Sequence, residues 1–242
     1  IRFDNRDSGL SSQGTWRPPN RASVVRSILT RQPVKGVAYS MVDMADDAVG
    51  LLDQLGIESA HVVGISMGGM IVQEMAINHP ARVRTMCSIM SNTGDRRNGG
   101  MAASLISKFA WRRAPTLDTS VEDNVEIFGL ISGPHFDAEE HRKQAQLLVS
   151  RSFTPEGVER QMAAISSTRD RTTPLASVAA PTLVIHGLVD PLVKPSGGLA
   201  TTRAVKGSRF LGIPDMGHDL PEPRWSEIRD AIVENCRRAD QR

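Results

Sequence analysis

Apolar positions along the chain fall into short unbroken runs that alternate with stretches of helical spacing. The runs are IRFD at residues 1–4, HVVGI at 61–65, VRTMCSIM at 83–90, PTLVIHG at 181–187 and SRFLGI at 208–213. Bounded by turn residues, each reads as a strand. Between them Met41, Met44, Ala45, Ala48, Val49, Leu52 and Leu55 recur at helical spacing, with Asp43, Asp46, Asp47 and Asp53 mostly on the opposite face. Ser40 offers that helix an N-cap and Gly56 a stop. A second helix, MGGMIVQEMAINH, runs up to Pro80; a shorter one is expected around PSGGLATTRAV, and WSEIRDAIVENCRR is the last. Strands alternating with helices predict an α/β fold: a mostly parallel sheet with helices on both faces.

Two stretches break the alternation. Residues 15–38, with Pro18, Pro19 and Pro33, read as an irregular loop holding one short helix. From about Ser91 to Ser177 the chain is rich in Arg, Met and Ser, carries the helical patches AASLISKFAWRR and EEHRKQAQLLVSRS, and offers no convincing buried strand. This predicts a helical cap of residues 91–177 inserted into a core made of residues 1–90 and 178–242. Met101, Leu105, Phe109, Trp111, Phe128 and Met162 in that stretch read first as helix-packing residues, some of them able to line an acyl site.

A length of 242 residues suits one such domain with an insertion. The net charge of +2 comes from 29 basic residues scattered among 27 acidic ones. There is no basic run interleaved with aromatics, so no nucleic-acid partner is expected. No stretch approaches the roughly 18 apolar residues of a membrane helix, so no membrane partner is expected either. Cys87 lies in an apolar run and reads as a core thiol; with Cys236 it forms no metal-ligand spacing, which fits a reducing, cytoplasmic setting. The histidines are dispersed and no dinucleotide fingerprint follows a strand, so neither metal nor organic cofactor is expected. Oligomeric state is not legible.

The candidate chemistry begins at HVVGISMGGM, residues 61–70. Gly64-Ile65-Ser66-Met67-Gly68 has the spacing G-x-S-x-G, between an expected strand and an expected helix. A nucleophilic serine needs a sharp turn that exposes its hydroxyl, and so tight a turn calls for small flanking residues. The N–H of Met67, at the start of the helix, would face a developing oxyanion. A serine also needs a base, and the base an orienting acid, each on a loop after a strand. Asp190 follows PTLVIHG and His218 follows SRFLGI, in the order Ser, acid, His. Asp95, after the strand ending at Met90, is a rival acid, though a solvated loop carboxylate is its ordinary reading. His61, His79, His135 and His141 read as structural or solvated, and Arg6 and Asp7 as residues that fix a turn by hydrogen bonds.

The segments HVVGISMGG, HGLVDPLV, DMGHDLP and RFDNRDSGLSS resemble the α/β-hydrolase superfamily. Together with LLDQLGIESAHVVG, the last looks closest to the aclacinomycin methylesterase-like and 3-oxoadipate enol-lactonase-like serine esterases. The resemblance covers both ends of the chain well and the cap poorly. It implies Ser66 as nucleophile, His218 as general base and then acid, Asp190 as the group orienting the imidazole, and Met67 N–H as half of an oxyanion hole. The implied partner is a small-molecule ester or lactone, cleaved through an acyl-enzyme. The resemblance also places the second oxyanion donor upstream of Ile1, and a further strand between IRFD and HVVGI. On that reading the sequence is N-terminally truncated, and these 242 residues alone are expected to fold poorly and be inactive. A cofactor-free haloperoxidase, a carbon–carbon-bond hydrolase and an acyltransferase share this triad, and a non-catalytic ligand-binding or truncated protein shares the fold.

Overall fold

The computed structural model describes residues 1–30, 32–110, 113 and 115–240. In chain order the elements are α1 (Arg21–Thr30), α2 (Met41–Gln54), β1 (Ala60–Ile65), α3 (Met67–Asn78), β2 (Val83–Ile89), α4 (Ala103–Ala110), α5 (Ser120–Ile131), α6 (Ala138–Arg151), α7 (Pro155–Ser167), α8 (Thr172–Leu175), β3 (Thr182–Gly187), α9 (Ser196–Ala204), β4 (Arg209–Ile213) and α10 (Trp225–Arg237). The four strands form one parallel sheet in the order β1-β2-β3-β4.

The chain divides into two compact units. One comprises residues 41–102, 131–135 and 169–242 and holds the whole sheet. Its central strands are buried nearly throughout, as parallel strands covered on both faces must be, whereas β1 and β4 at the edges are partly exposed. Side chains alternate between the two faces. Cys87, Ile89, Leu183, Ile185 and Ile213 pack with Ile228 of α10 into one apolar cluster. On the opposite face Ser88 accepts a hydrogen bond from Gln73 of α3, and His186 lies against Gly198 of α9. Cys87 belongs to the core as expected, and burial, with Cys236 second, pushes its thiol up to about 12.

The other unit comprises residues 1–40, 103–130 and 136–168. Here the structure corrects the strand expected at Ile1–Asp4: residues 1–5 form no regular element, and among the described residues β1 pairs with β2 alone. Extended propensity makes a strand only where a neighbour supplies the ladder. Asp4 instead accepts from Leu10 N–H at 2.9 Å and from the Arg151 guanidinium at 2.6 and 3.0 Å. Residues 1–40, expected with the sheet, therefore cluster with the helices, and the reason is a buried ion pair: Arg160 of α7 lies 2.9 Å from Asp7, both almost fully buried. Asp7 also accepts from Gly14 N–H at 2.7 Å, which is the turn-fixing role expected of it. The single helix expected in residues 15–38 is α1. Of the residues read as helix-packing, Leu105 is buried, Met162 is exposed and Phe128 lies against His141 with ring centres 4.3 Å apart. Trp111 lies outside the described residues.

Candidate active site

Parallel strands with helical crossovers leave their carboxyl ends at one edge of the sheet, where ligands of open α/β folds bind. Ser66 stands at the end of β1, Asp190 follows β3 and His218 follows β4. The hydrogen-bond ladder continues past the strand ends and sets their spacing. Ser66 N–H donates to Ile89 O at 2.9 Å, Met90 N–H to Ile185 O at 2.8 Å and Val189 N–H to Met216 O at 3.3 Å. The loops bearing acid and histidine also approach with no room for a side chain between them: a Cβ on Gly187 would overlap the carbonyl of Met216.

The turn at Ser66 is strained. Its φ of 53° is in the left-handed region, as is the 42° of Met90 at the corresponding end of β2. Non-glycine residues stay in this region only where their surroundings over-determine it. For Ser66 the constraint is steric: a Cβ on Gly64 would overlap the Gly68 carbonyl, and one on Gly69 would lie 2.5 Å from Ser91 Cβ. The space next to Gly68 is open, so the tightness expected at both glycines of the motif falls on Gly64 and Gly69 instead. Met67 is the first residue of α3, so its N–H has no acceptor one turn back and points out of the helix at its positive end.

Three side chains expected to act together meet. His218 Nε2 lies 2.9 Å from Ser66 Oγ, and His218 Nδ1 lies 2.7 Å from Asp190 Oδ2. A carboxylate can only accept, so the imidazole proton is on Nδ1 and the bare Nε2 accepts from the Ser66 hydroxyl. Asp190 is nearly inaccessible, yet its charge is well served: Oδ1 accepts from Leu192 N–H at 2.8 Å and Val193 N–H at 2.9 Å. Hydrogen bonds of this kind, with one ionised partner, are about twice as strong as neutral ones. Ser66 remains half-buried, open enough to be reached.

The remaining candidates lie elsewhere. Asp95 folds back on its own turn, accepting from Arg97 N–H at 2.9 Å and Asn98 Nδ2 at 2.5 Å. His61 Nδ1 bridges to Thr85 Oγ1 at 2.9 Å, His79 Nε2 meets Asp46 at 2.6 Å, and His141 Nε2 reaches Asn124 Oδ1 at 2.8 Å. His135 Nε2 meets Asp215 at 2.7 Å. That contact belongs to a feature the sequence did not reveal. Residues 131–135 lie in the same unit as Ser66, Asp190 and His218, and Ile131 O accepts from His218 N–H at 2.7 Å. Asp219 Oδ1 ties Gly133 N–H at 3.1 Å to Gly217 N–H at 2.9 Å. His186 was missed as well. A titratable residue inside a wholly buried strand was its only signal, since such a group must have a partner built for it. Among the described residues no group of three or more His, Cys, Asp or Glu could hold a metal ion, and no helix is long and apolar enough to cross a membrane.

The sheet, the strained turn and the order of site residues define an α/β-hydrolase, and the chain belongs to that family. A family model described as alpha/beta hydrolase fold matches residues 1–104. The protein RutD of Pantoea ananatis is 30% identical over 202 residues, covering 77% of this chain and 70% of RutD. Rhodomycin D methylesterase DnrP of Streptomyces peucetius is 26% identical over 261 aligned residues, covering 99% of this chain and 81% of that one. Among solved structures, the enol-lactonase of Burkholderia xenovorans superposes with a TM-score of 0.70 at 19% identity, over 96% of this chain and 78% of its own.

Proposed function

We propose that the protein hydrolyses a small carboxylic ester or lactone through an acyl-enzyme, with Ser66 as nucleophile. The observation that carries this is the continuous relay from Ser66 Oγ to His218 Nε2, 2.9 Å, and from His218 Nδ1 to Asp190 Oδ2, 2.7 Å. The similarity to a protein named as a methylesterase supports ester cleavage, and the fold shared with an enol-lactonase is compatible with cyclic esters. In the mechanism, His218 takes the Ser66 proton as the oxygen attacks the substrate carbonyl, and the imidazolium forms against the Asp190 carboxylate. Met67 N–H, at the positive end of α3, donates to the oxyanion of the tetrahedral intermediate. The protonated His218 then gives its proton to the leaving alkoxide. Water, deprotonated in turn by His218, attacks the acyl-enzyme, and His218 returns that proton to Ser66 Oγ as the acid leaves. Neither metal nor organic cofactor has a step in this sequence.

The test is labelling of the purified protein with a fluorophosphonate, with the modified residue located by mass spectrometry, beside turnover of a panel of p-nitrophenyl esters and lactones. Stoichiometric modification at Ser66 together with ester turnover abolished in Ser66→Ala is expected. Turnover retained by Ser66→Ala would overturn the assignment.

A further inference from the structure

Strand β3 is buried along its whole length, and His186 is its one titratable side chain. Its Nε2 lies 2.8 Å from Val193 O, an atom that only accepts, so Nε2 carries the ring proton. Nδ1 is then a bare acceptor, and it is buried without a hydrogen-bond partner. Burial pushes this imidazole below its ordinary value, against the smaller opposing effects of the Val193 bond and the Asp190 charge. The ring is therefore neutral at pH 7. Helix α9 makes room for it: a Cβ on Gly198 would stand 2.5 Å from Nδ1. The fold thus keeps an unsatisfied buried nitrogen, a cost that an apolar residue at 186 would not incur.

What the ring does for the site follows from Val193. The N–H of Val193 donates to Asp190 Oδ1 at 2.9 Å, and its carbonyl accepts from His186 at 2.8 Å. Val193, in the loop that carries Asp190, is therefore tied through its N–H to that carboxylate and through its carbonyl to the sheet. His186 Nε2 also lies 3.6 Å from Asp190 Oδ2, the oxygen that accepts from His218. We propose that His186 is a positioning residue of the relay, holding residues 190–193 through Val193 O so that Asp190 Oδ2 stays on His218 Nδ1. The proposal rests on reading Ser66, His218 and Asp190 as the catalytic relay.

Three variants and one spectroscopic readout test it. His186→Leu fills the space without a donor, and His186→Gln restores an N–H at a comparable reach. Gly198→Ala leaves His186 in place but crowds its ring. The proton on His218 Nδ1, bonded to a buried carboxylate, gives a far-downfield NMR resonance that is read without substrate. His186→Leu is expected to lower kcat about 100-fold, the cost of a displacement near 1 Å, with KM changed by no more than about threefold. The resonance should be lost with it, and His186→Gln should recover most of both. A folded His186→Leu protein that keeps the wild-type kcat and resonance would overturn the proposal. Should that variant fail to fold, Gly198→Ala decides: loss of the resonance supports the positioning role, and its retention with full kcat overturns it. A wild-type protein that turns over no ester would overturn the proposed function instead, and the resonance in the variants would still decide the role of His186.

Discussion

Gly64 and Gly68 approach so closely across the turn at Ser66 that a Cβ on the first would overlap the carbonyl of the second, while a Cβ on the second would meet nothing. The two glycines of the motif are therefore not equivalent. Gly64→Ala forces backbone apart at the end of β1, and the expected loss is about 3 kcal/mol of stability, the upper range of overpacking. Gly68→Ala sits in the first turn of α3 with space around it, and should raise stability by about 0.5–1 kcal/mol through helix propensity. Urea unfolding of both variants checks this. Equal destabilisation by the two substitutions would mean that the crowding at the turn is symmetric.

Asp190→Asn isolates the tautomer argument. Two backbone N–H groups fix Oδ1, so an amide at this position keeps its oxygen there and presents its NH2 to His218 Nδ1. The imidazole must then carry its proton on Nε2 and can no longer accept from Ser66. The expected fall in kcat is about 10⁴-fold with an unchanged unfolding midpoint. Asp95→Asn, by contrast, loses only contacts inside its own turn and should leave kcat at the wild-type value. If ester kinetics show the reverse ranking, the acid has been misassigned.

The sheet was legible because the signals of its strands are local, and so were the positions of Ser66, Asp190 and His218, which the fold brings within hydrogen-bond reach of one another. HVVGI, VRTMCSIM, PTLVIHG and SRFLGI became β1 to β4 within a residue or two, since buried parallel strands read as apolar runs whatever lies beside them. The order Ser66, Asp190, His218 follows from where loops leave those strands. IRFD has the same local signal and forms no strand, because pairing depends on a neighbour that no local pattern reveals. For the same reason residues 1–40 could not be placed with the helices: the Asp7–Arg160 pair spans more than half of the sequence. Ile131, Gly133 and His186 could not be picked out in the same way, since their hydrogen bonds, to His218 N–H, the Asp219 carboxylate and Val193 O, are set by the folded chain.

Gly133 offers a test of the support behind His218. A Cβ there would come 2.6 Å from Asp215 O and 2.9 Å from Gly217 N, both in the turn that leads into His218. Gly133→Ala must displace that turn or residues 131–135, and with them the bond from His218 N–H to Ile131 O. A drop in kcat of about 10- to 100-fold with little change in KM is expected, as for other losses of alignment near reacting atoms. The nearby contact of His135 with Asp215 is partly exposed, and His135→Ala should leave kcat and the unfolding midpoint close to wild type. Steady-state kinetics that place the larger effect on KM would argue that residues 131–135 meet the substrate rather than hold the histidine.

The Asp7–Arg160 pair gives the helical unit an acid-sensitive component. Burial alone would raise the Asp7 carboxyl, but hydrogen bonds from Arg160 and Gly14 outweigh it and hold Asp7 below its ordinary 3.8. Asp7 in the unfolded chain then binds a proton at a higher pH than Asp7 in the folded one, so between those values stability rises with pH. The contribution is complete above pH 3.8 and is lost as the pH falls through the lower folded value. Asp7→Asn removes the charge while tolerating the φ of 66°, since Asn adopts the left-handed region readily. It leaves the Arg160 guanidinium buried without its carboxylate, at a cost of about 3–5 kcal/mol at pH 7. Because the wild-type carboxyl is itself neutral in strong acid, the two proteins should converge in stability as the pH drops below 3.8. Thermal unfolding of both from pH 7 downward measures the gap directly. A gap that stays constant across the acid range would show that the charge of Asp7 is not the source of the difference.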